Sequence, residues 1–340
     1  MKRDIDNVFA EYKKQKKESV DKCLPLCGIY KARMLYPITK ILLLFLTFIS
    51  GEKIVWLKKV RSIQTDKTII FANTHRFKPD FEKITIMTKR PSFVVASDFK
   101  NAYKTISGWY FNTRPTIFVD PNSKEDKSVT YEMMKKYLNT GMDCTIFPEG
   151  VWNLSENKPV LETFYGSVKA ALETNSVLVC TAIERYEKVY VLNRSGAIDF
   201  ETIVKKYVGS SFGDIDYRSE ESKEIVNTIL KECNVVMRDT LATLLWEIWE
   251  EDAKKNGVTK RKELADNYWE MFIDRLVSEW PGYRIQDNVE QRYHNRFDTE
   301  LELIKSDLAN IHLSKQNAFL LDKRLKGRFV DWAKMSNNCL

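Results

Sequence analysis

The chain has no uninterrupted apolar stretch approaching the ~20 residues that a bilayer-spanning helix needs. Its longest, ILLLFLTFI at 41–49, is bounded by Lys40 on one side and by Glu52 and Lys53 on the other, leaving eleven uncharged residues. The run also sits too far in, behind a charged arm, to be a secretory signal peptide. Cysteine is sparse and unpatterned. Cys23, Cys27, Cys144, Cys180, Cys233 and Cys339 show neither a disulfide framework nor zinc-site spacing. Cys144 and Cys180 lie in apolar, strand-like runs and read as small core residues, so a reducing, cytosolic setting is the simpler inference. There is no internal repeat of about 20–50 residues and no low-complexity run, and neither a fibrous nor a disordered class fits. Histidine is scarcest of all, with three in the chain: His75, His294 and His312.

What is present is a globular composition. The 340 residues are 44% hydrophobic and 30% charged, enough for one large domain or two smaller ones with a sizeable core. The net charge of +7 is unevenly placed. Residues 1–61 hold fourteen lysines and arginines against six acids, a net of +8, so residues 62–340 carry −1. The KKQKK run at 13–17 lies in this arm. Charge alone leaves a solvated tail, nucleic acid or an anionic membrane surface open. The apolar run that follows favours the membrane, as a short helix lying in the interface or dipping into it. A buried core helix is the alternative. Residues 1–61 therefore read as a basic arm and an apolar membrane-associating helix, and nucleic acid is not expected as a partner.

From residue 62 strands and helices alternate. TIIFA (68–72), SFVVAS (92–97), TIFVD (116–120), DCTIF (143–147), SVLVCTAI (176–183) and KVYVL (188–192) read as strands. PDFEKITIM (79–87) reads as a helix with Pro79 in its first turn. Ser128 is placed as the cap of a helix carrying Val129, Met133, Met134, Tyr137 and Leu138 on one face and ending at Gly141. FYGSVKAALETN (164–175) is a further helix. Buried strands alternating with helices predict an α/β fold, a mostly parallel central sheet flanked by helices, over 62–250. After about 219 strands stop. Leu241, Leu244, Leu245, Ile248 and Trp249 recur at helical spacing, followed by sets around Leu264–Phe272 and Leu301–Ile311. Residues 251–340 read as a C-terminal helical extension, and the aromatics of this tail read as core rather than a cofactor site.

His75 follows the end of the first strand, where α/β sheets place reactive groups. Asp80 is five residues on, a spacing that would separate the two by about 140° on a regular helix. Pro79 disfavours helical geometry at Lys78, so 75–78 should form a loop and Asp80 should fall in the first turn of the next helix. Such a turn folds His75 back onto the carboxylate, which the helix dipole keeps ionised. An Asp holding one imidazole nitrogen leaves the other as a general base. A polar loop with a surface salt bridge is the plain alternative. FPEGVWN (147–153) runs from a strand through Pro148, Glu149 and Gly150, where glycine permits a tight turn or close approach to a ligand.

Taken in order, these pieces resemble the glycerolipid acyltransferase family, whose type member acylates lysophosphatidic acid. NTHRFKPD carries its H-x4-D block at His75 and Asp80. Phe118 and Asp120 match the block usually written G-x-x-F-I-D-R. Phe147 to Gly150 match F-P-E-G-T-R. FYGSVKAAL (164–172) looks like the F-K-x-G-x-x-x-L-A helix, and VLVCTAI (177–183) sits where the family has its fourth, proline-containing strand. The likeness spans roughly 62–215.

The resemblance implies an O-acyltransferase in which His75 takes the proton of an acceptor hydroxyl that attacks an acyl thioester. Asp80 would orient His75, while Phe118, Asp120, Pro148, Glu149, Gly150 and Trp152 would shape the acceptor site. It implies no metal and no bound cofactor. Acyl-CoA or acyl carrier protein would be co-substrate, and a lipid or related alcohol the acceptor, at the cytoplasmic face of a membrane. A non-catalytic lipid-binding or scaffold role on the same fold is the alternative. Two arginines associated with gripping the acceptor's phosphate are missing: their places hold Pro121 and Val151–Trp152. The fourth strand also lacks its proline. Either Arg76, Lys78, Arg114 or Lys124 replaces the lost cations, or the acceptor carries no phosphate and Trp152 faces a sugar, polyol or lipid alcohol. The joint loss of both cations favours the second.

Overall fold

A computed structural model describes residues 5–21, 28–58, 63–76, 79–88, 90–97, 116–150, 163–186, 188–209, 211–215 and 219–255, together with residues 99, 153, 160 and 161. The helical sets expected around 264–272 and 301–311, and the rest of 256–340, lie outside the described residues.

Seven strands form one sheet: β1 (Lys53–Trp56), β2 (Ile69–Asn73), β3 (Ser92–Ala96), β4 (Thr116–Phe118), β5 (Asp143–Ile146), β6 (Val177–Tyr186) and β7 (Val189–Arg194). Their order is β1-β7-β6-β2-β5-β3-β4. Five neighbouring strands from β6 to β4 run parallel; β7 returns antiparallel to β6 and β1 pairs parallel with β7. The expected α/β class and mostly parallel sheet are observed. β1 is an addition, a short edge strand in a segment where no strand was expected.

The helices are α1 (Ile5–Asp21), α2 (Gly28–Ile49), α3 (Asp80–Met87), α4 (Lys124–Asn139), α5 (Gly166–Glu173), α6 (Glu201–Val208) and α7 (Glu220–Lys255). Strand alternation divides the core. Ile70, Ala72, Cys144, Leu178 and Cys180 face a layer of α4, α5, α6 and α7, while Ile69, Phe71, Val177 and Val179 face the other side. α7 is about 54 Å long. Val226, Ile229, Cys233, Met237, Leu241, Leu244, Leu245 and Ile248 line its buried stripe at the three- and four-residue spacing of a core-facing helix. Trp246 and Trp249 are buried with them, as core residues.

The helix over 124–139 begins earlier than Ser128. Its cap is Ser123, whose Oγ accepts from the Asp126 amide at 3.1 Å. Glu125 and Asp126 fill the first turn, where carboxylates favour the positive end of the helix dipole. Ser128 is simply a residue of the second turn.

The basic arm is not a tail. α1 lies against α4 and the edge strand β4. The Lys16 ammonium is buried and donates to Asp126 Oδ2, Thr130 Oγ1 and the Phe118 carbonyl at 2.7–2.8 Å. Lys13 pairs with Asp120 at 2.8 Å, and Lys17 with Glu125. The Tyr12 hydroxyl accepts from the Phe118 amide at 2.9 Å, satisfying backbone at the sheet edge.

The apolar run at 41–49 is the second half of α2. Tyr36, Thr39, Leu43 and Thr47 are buried. Tyr36 hydrogen-bonds Thr88, Leu43 packs on Ile86, and Lys83 donates to Thr47. On the other face Met34, Ile38, Ile41, Phe45 and Phe48 are exposed, Phe48 at 80%. Among the described residues, no helix is long and apolar enough to cross a membrane.

Candidate active site

The parallel strands deliver their C-terminal ends to one edge, and β2 is the central strand that ends in Asn73, Thr74 and His75. All five of its residues are buried. Its end is fixed to β6: the Thr74 amide donates to the Thr181 carbonyl, and the Ile183 amide donates to Thr74 Oγ1, both at 3.1 Å. Asn73 donates from its side chain to the Phe71 and Ile146 carbonyls. His75 therefore leaves the sheet from a rigid base.

The helix start expected at Pro79 is observed. Pro79 is the residue before α3, with φ −92° and ψ 7°, and Asp80 opens the helix. His75 Nδ1 is 2.9 Å from Asp80 Oδ2, and the Arg76 amide donates to the same oxygen at 2.8 Å. The carboxylate is fully buried, whereas the imidazole is 19% exposed. The contact with the carboxylate is made through Nδ1, so Nε2 is the ring nitrogen left for other partners.

Glu149 closes the site from behind. One oxygen accepts from the His75 amide at 3.1 Å and the other from the Leu161 amide at 2.8 Å. Burial pushes this carboxyl up from its ordinary range, against the pull of those two amides and the nearby Arg76 charge. The Asn153 amide donates to the His75 carbonyl, so both main-chain groups of His75 are bound by the segment after β5. The Phe147 ring lies 4.3 Å from the imidazole, centroid to centroid.

Gly150 has φ +71°, and a Cβ there would stand 2.5 Å from Phe164 Cε2. Glycine is required at this turn both for its left-handed backbone and for the close approach of that ring. The Phe164 amide donates to the Pro148 carbonyl, so the turn and the start of α5 hold each other.

Phe118 and Asp120 lie farther along the sheet. Phe118 is buried in an aromatic cluster with Phe9, Tyr12 and Phe99. Asp120 follows β4, three strands from β2 and so about 14 Å to the side at the usual strand spacing. The Lys13 ammonium holds its carboxyl below the usual range. Trp152, with Val151, lies outside the described residues, as do Lys78 and Arg114. Arg76, named above as a replacement cation, is fully buried, with Nε 3.6 Å from Glu184 Oε2. It is not placed to grip a solvent-borne phosphate. Sequence reasoning missed Asn153, Glu184 and Trp249. The backbone tie at Asn153 and the 108- and 65-residue separations of the Arg76–Glu184 and Glu184–Trp249 contacts leave no local pattern. Among the described residues, no group of three or more His, Cys, Asp or Glu side chains could hold a metal ion.

Residues 55–184 match the Acyltransferase family model, a segment that contains His75, Asp80 and Glu149. No curated protein matches the sequence. Among solved structures, the 1-acyl-sn-glycerophosphate (LPA) acyltransferase PlsC from Thermotoga maritima aligns with a TM-score of 0.41 at 14% identity, over 59% of this chain and 79% of that one.

Proposed function

We propose that this chain is an acyltransferase, a reading supported by the match of residues 55–184 to the Acyltransferase family model, and that it moves a fatty acyl group from a thioester, acyl-CoA or acyl carrier protein, to the hydroxyl of a lipid or related alcohol. The observation that carries this is the 2.9 Å contact between His75 Nδ1 and Asp80 Oδ2 at the end of the central strand. Nε2 takes the acceptor's proton as its oxygen attacks the thioester carbonyl. The C–S bond then breaks, the thiolate recovers the proton from the imidazolium, and the products are an ester and a free thiol. Asp80 holds the ring and balances its charge in between.

The acceptor favoured is one without a phosphate. Pro121 stands where an arginine fork would bind one, Arg76 is buried against Glu184, and Lys13 is taken up by Asp120. Purified protein given oleoyl-CoA should release thiol with mono-oleoylglycerol and outpace lysophosphatidic acid. Efficient turnover of lysophosphatidic acid with none of mono-oleoylglycerol would overturn the acceptor assignment.

A lipid acceptor also accounts for α2. Its outward stripe of Met34, Ile38, Ile41, Phe45 and Phe48 fits a helix lying in the interface on the cytoplasmic side of a membrane. The double substitution Phe45→Glu/Phe48→Glu should weaken co-sedimentation with phosphatidylcholine–phosphatidylglycerol vesicles at least about tenfold, since burying even part of each ring is worth about 1 kcal/mol. Unchanged sedimentation would remove α2 as the docking element.

A further inference from the structure

Arg76, the residue after His75, carries a buried charge that the acyl-transfer chemistry does not use. Its guanidinium is 0% exposed, and so is its counter-charge Glu184 on β6. The Trp249 indole N–H donates to Glu184 Oε2 at 3.0 Å, and the Arg185 amide donates to Oε1 at 2.9 Å. The Arg76 guanidinium also lies 5.7 Å from the Trp249 ring centroid. At its other end Arg76 donates its amide to Asp80 Oδ2, the oxygen that holds the imidazole. A continuous path of contacts therefore runs from α7 through Glu184 and Arg76 to the His75–Asp80 pair.

We propose that Glu184, Arg76 and Trp249 are positioning residues that set the placement and charge balance of His75, and that α7 thereby acts on the site from outside the family-matched segment. This rests on the general-base reading of His75. Two ions taken from water are costly to bury unless well paired, and a plain apolar core would have served packing alone. Asp80 on α3 contacts the ring, Glu149 after β5 binds the His75 amide, and Arg76, next in the chain, is answered by Glu184 on β6. α7 contributes Trp249, which is uncharged. Neutralising Glu184 leaves that set one unit more positive and disfavours the imidazolium.

Ring-labelled histidine in the full-length protein gives the test, with three signals and His75 assigned from its absence in His75→Ala. Glu184→Gln is expected to displace the His75 ring resonance and to lower kcat about tenfold with KM unchanged. The charge-neutral double variant Arg76→Gln/Glu184→Gln should restore part of kcat. Trp249→Phe, which keeps an aromatic ring and both charges but removes the N–H that donates to Glu184, should displace the His75 resonance and lower kcat several-fold. If Glu184→Gln does not fold, Trp249→Phe decides. A His75 resonance and kcat identical to wild type in the folded single variants would overturn the proposal, because a purely structural pair changes only stability. If instead His75→Ala turned over substrate like wild type, the general-base reading would fall, while the His75 ring resonance in Glu184→Gln and Trp249→Phe would still report the coupling.

Discussion

His75→Ala is expected to reduce acyl transfer from oleoyl-CoA by about 10²–10⁴-fold, the usual worth of a positioned general base. The fold should survive, because the imidazole is partly exposed while the main-chain bonds of His75 to Glu149 and Asn153 do not involve the ring. Asp80 allows a finer dissection. Its Oδ2 receives both the ring and the Arg76 amide. Asp80→Asn can keep an oxygen in that place, so the geometry is retained and only the charge is lost. The expected loss is up to about 10⁴-fold, from the missing stabilisation of the imidazolium. Asp80→Ala removes the oxygen too and should approach His75→Ala. The decisive result is the double variant. Residues that act as one unit are strongly non-additive, so His75→Ala/Asp80→Ala should be no slower than His75→Ala alone. A multiplicative loss, or an Asp80→Asn rate within twofold of wild type, would show that the pair is not the working unit.

The pair was legible in the sequence because its geometry is local. Pro79 disfavours helical geometry at the residue before it, and a strand that ends at Asn73 and a helix that opens at Asp80 put the carboxylate against the ring. The parallel strands were legible for a similar reason: VLVCTAI and TIIFA are β-branched runs with turn residues beside them. β1 was not. Lys53–Trp56 has four residues, alternates exposed and half-buried, and gains its identity from pairing with Val189–Leu192, more than 130 residues later. The periodicity of α7 announced a buried stripe, but periodicity names no partner. Only the fold brings Trp249 to Glu184 and Arg76. The cap of α4 shows the same limit at short range. Ser123 and Ser128 are both plausible caps, and the acids at 125 and 126 choose the first by matching the helix dipole.

Charge counting misjudged the arm for a reason that Lys16 makes measurable. A net of +8 over residues 1–61 looks like an unsatisfied surface, yet the acids that answer it lie more than a hundred residues away. The Lys16 side chain is 1% exposed and its Asp126 partner 7%. Breaking a buried pair by removing one member leaves the other charge stranded, at a typical cost of about 3–5 kcal/mol. Asp126 keeps the Asp120 amide as a donor and sits in the first turn of α4, which places the expectation for Lys16→Met near the lower end, about 3 kcal/mol in urea unfolding. Lys13→Ala should cost less than about 1 kcal/mol, because that pair is partly exposed and screened. Lys16→Met/Asp126→Asn should recover part of the loss, since no charge is left buried alone. Equal stabilities for wild type and Lys16→Met would mean that α1 is not seated on β4 and α4. A large loss confined to Lys16→Met would make the first helix a built-in wall of the sheet edge beside Asp120, and the basic arm a structural part of the catalytic domain rather than a tether.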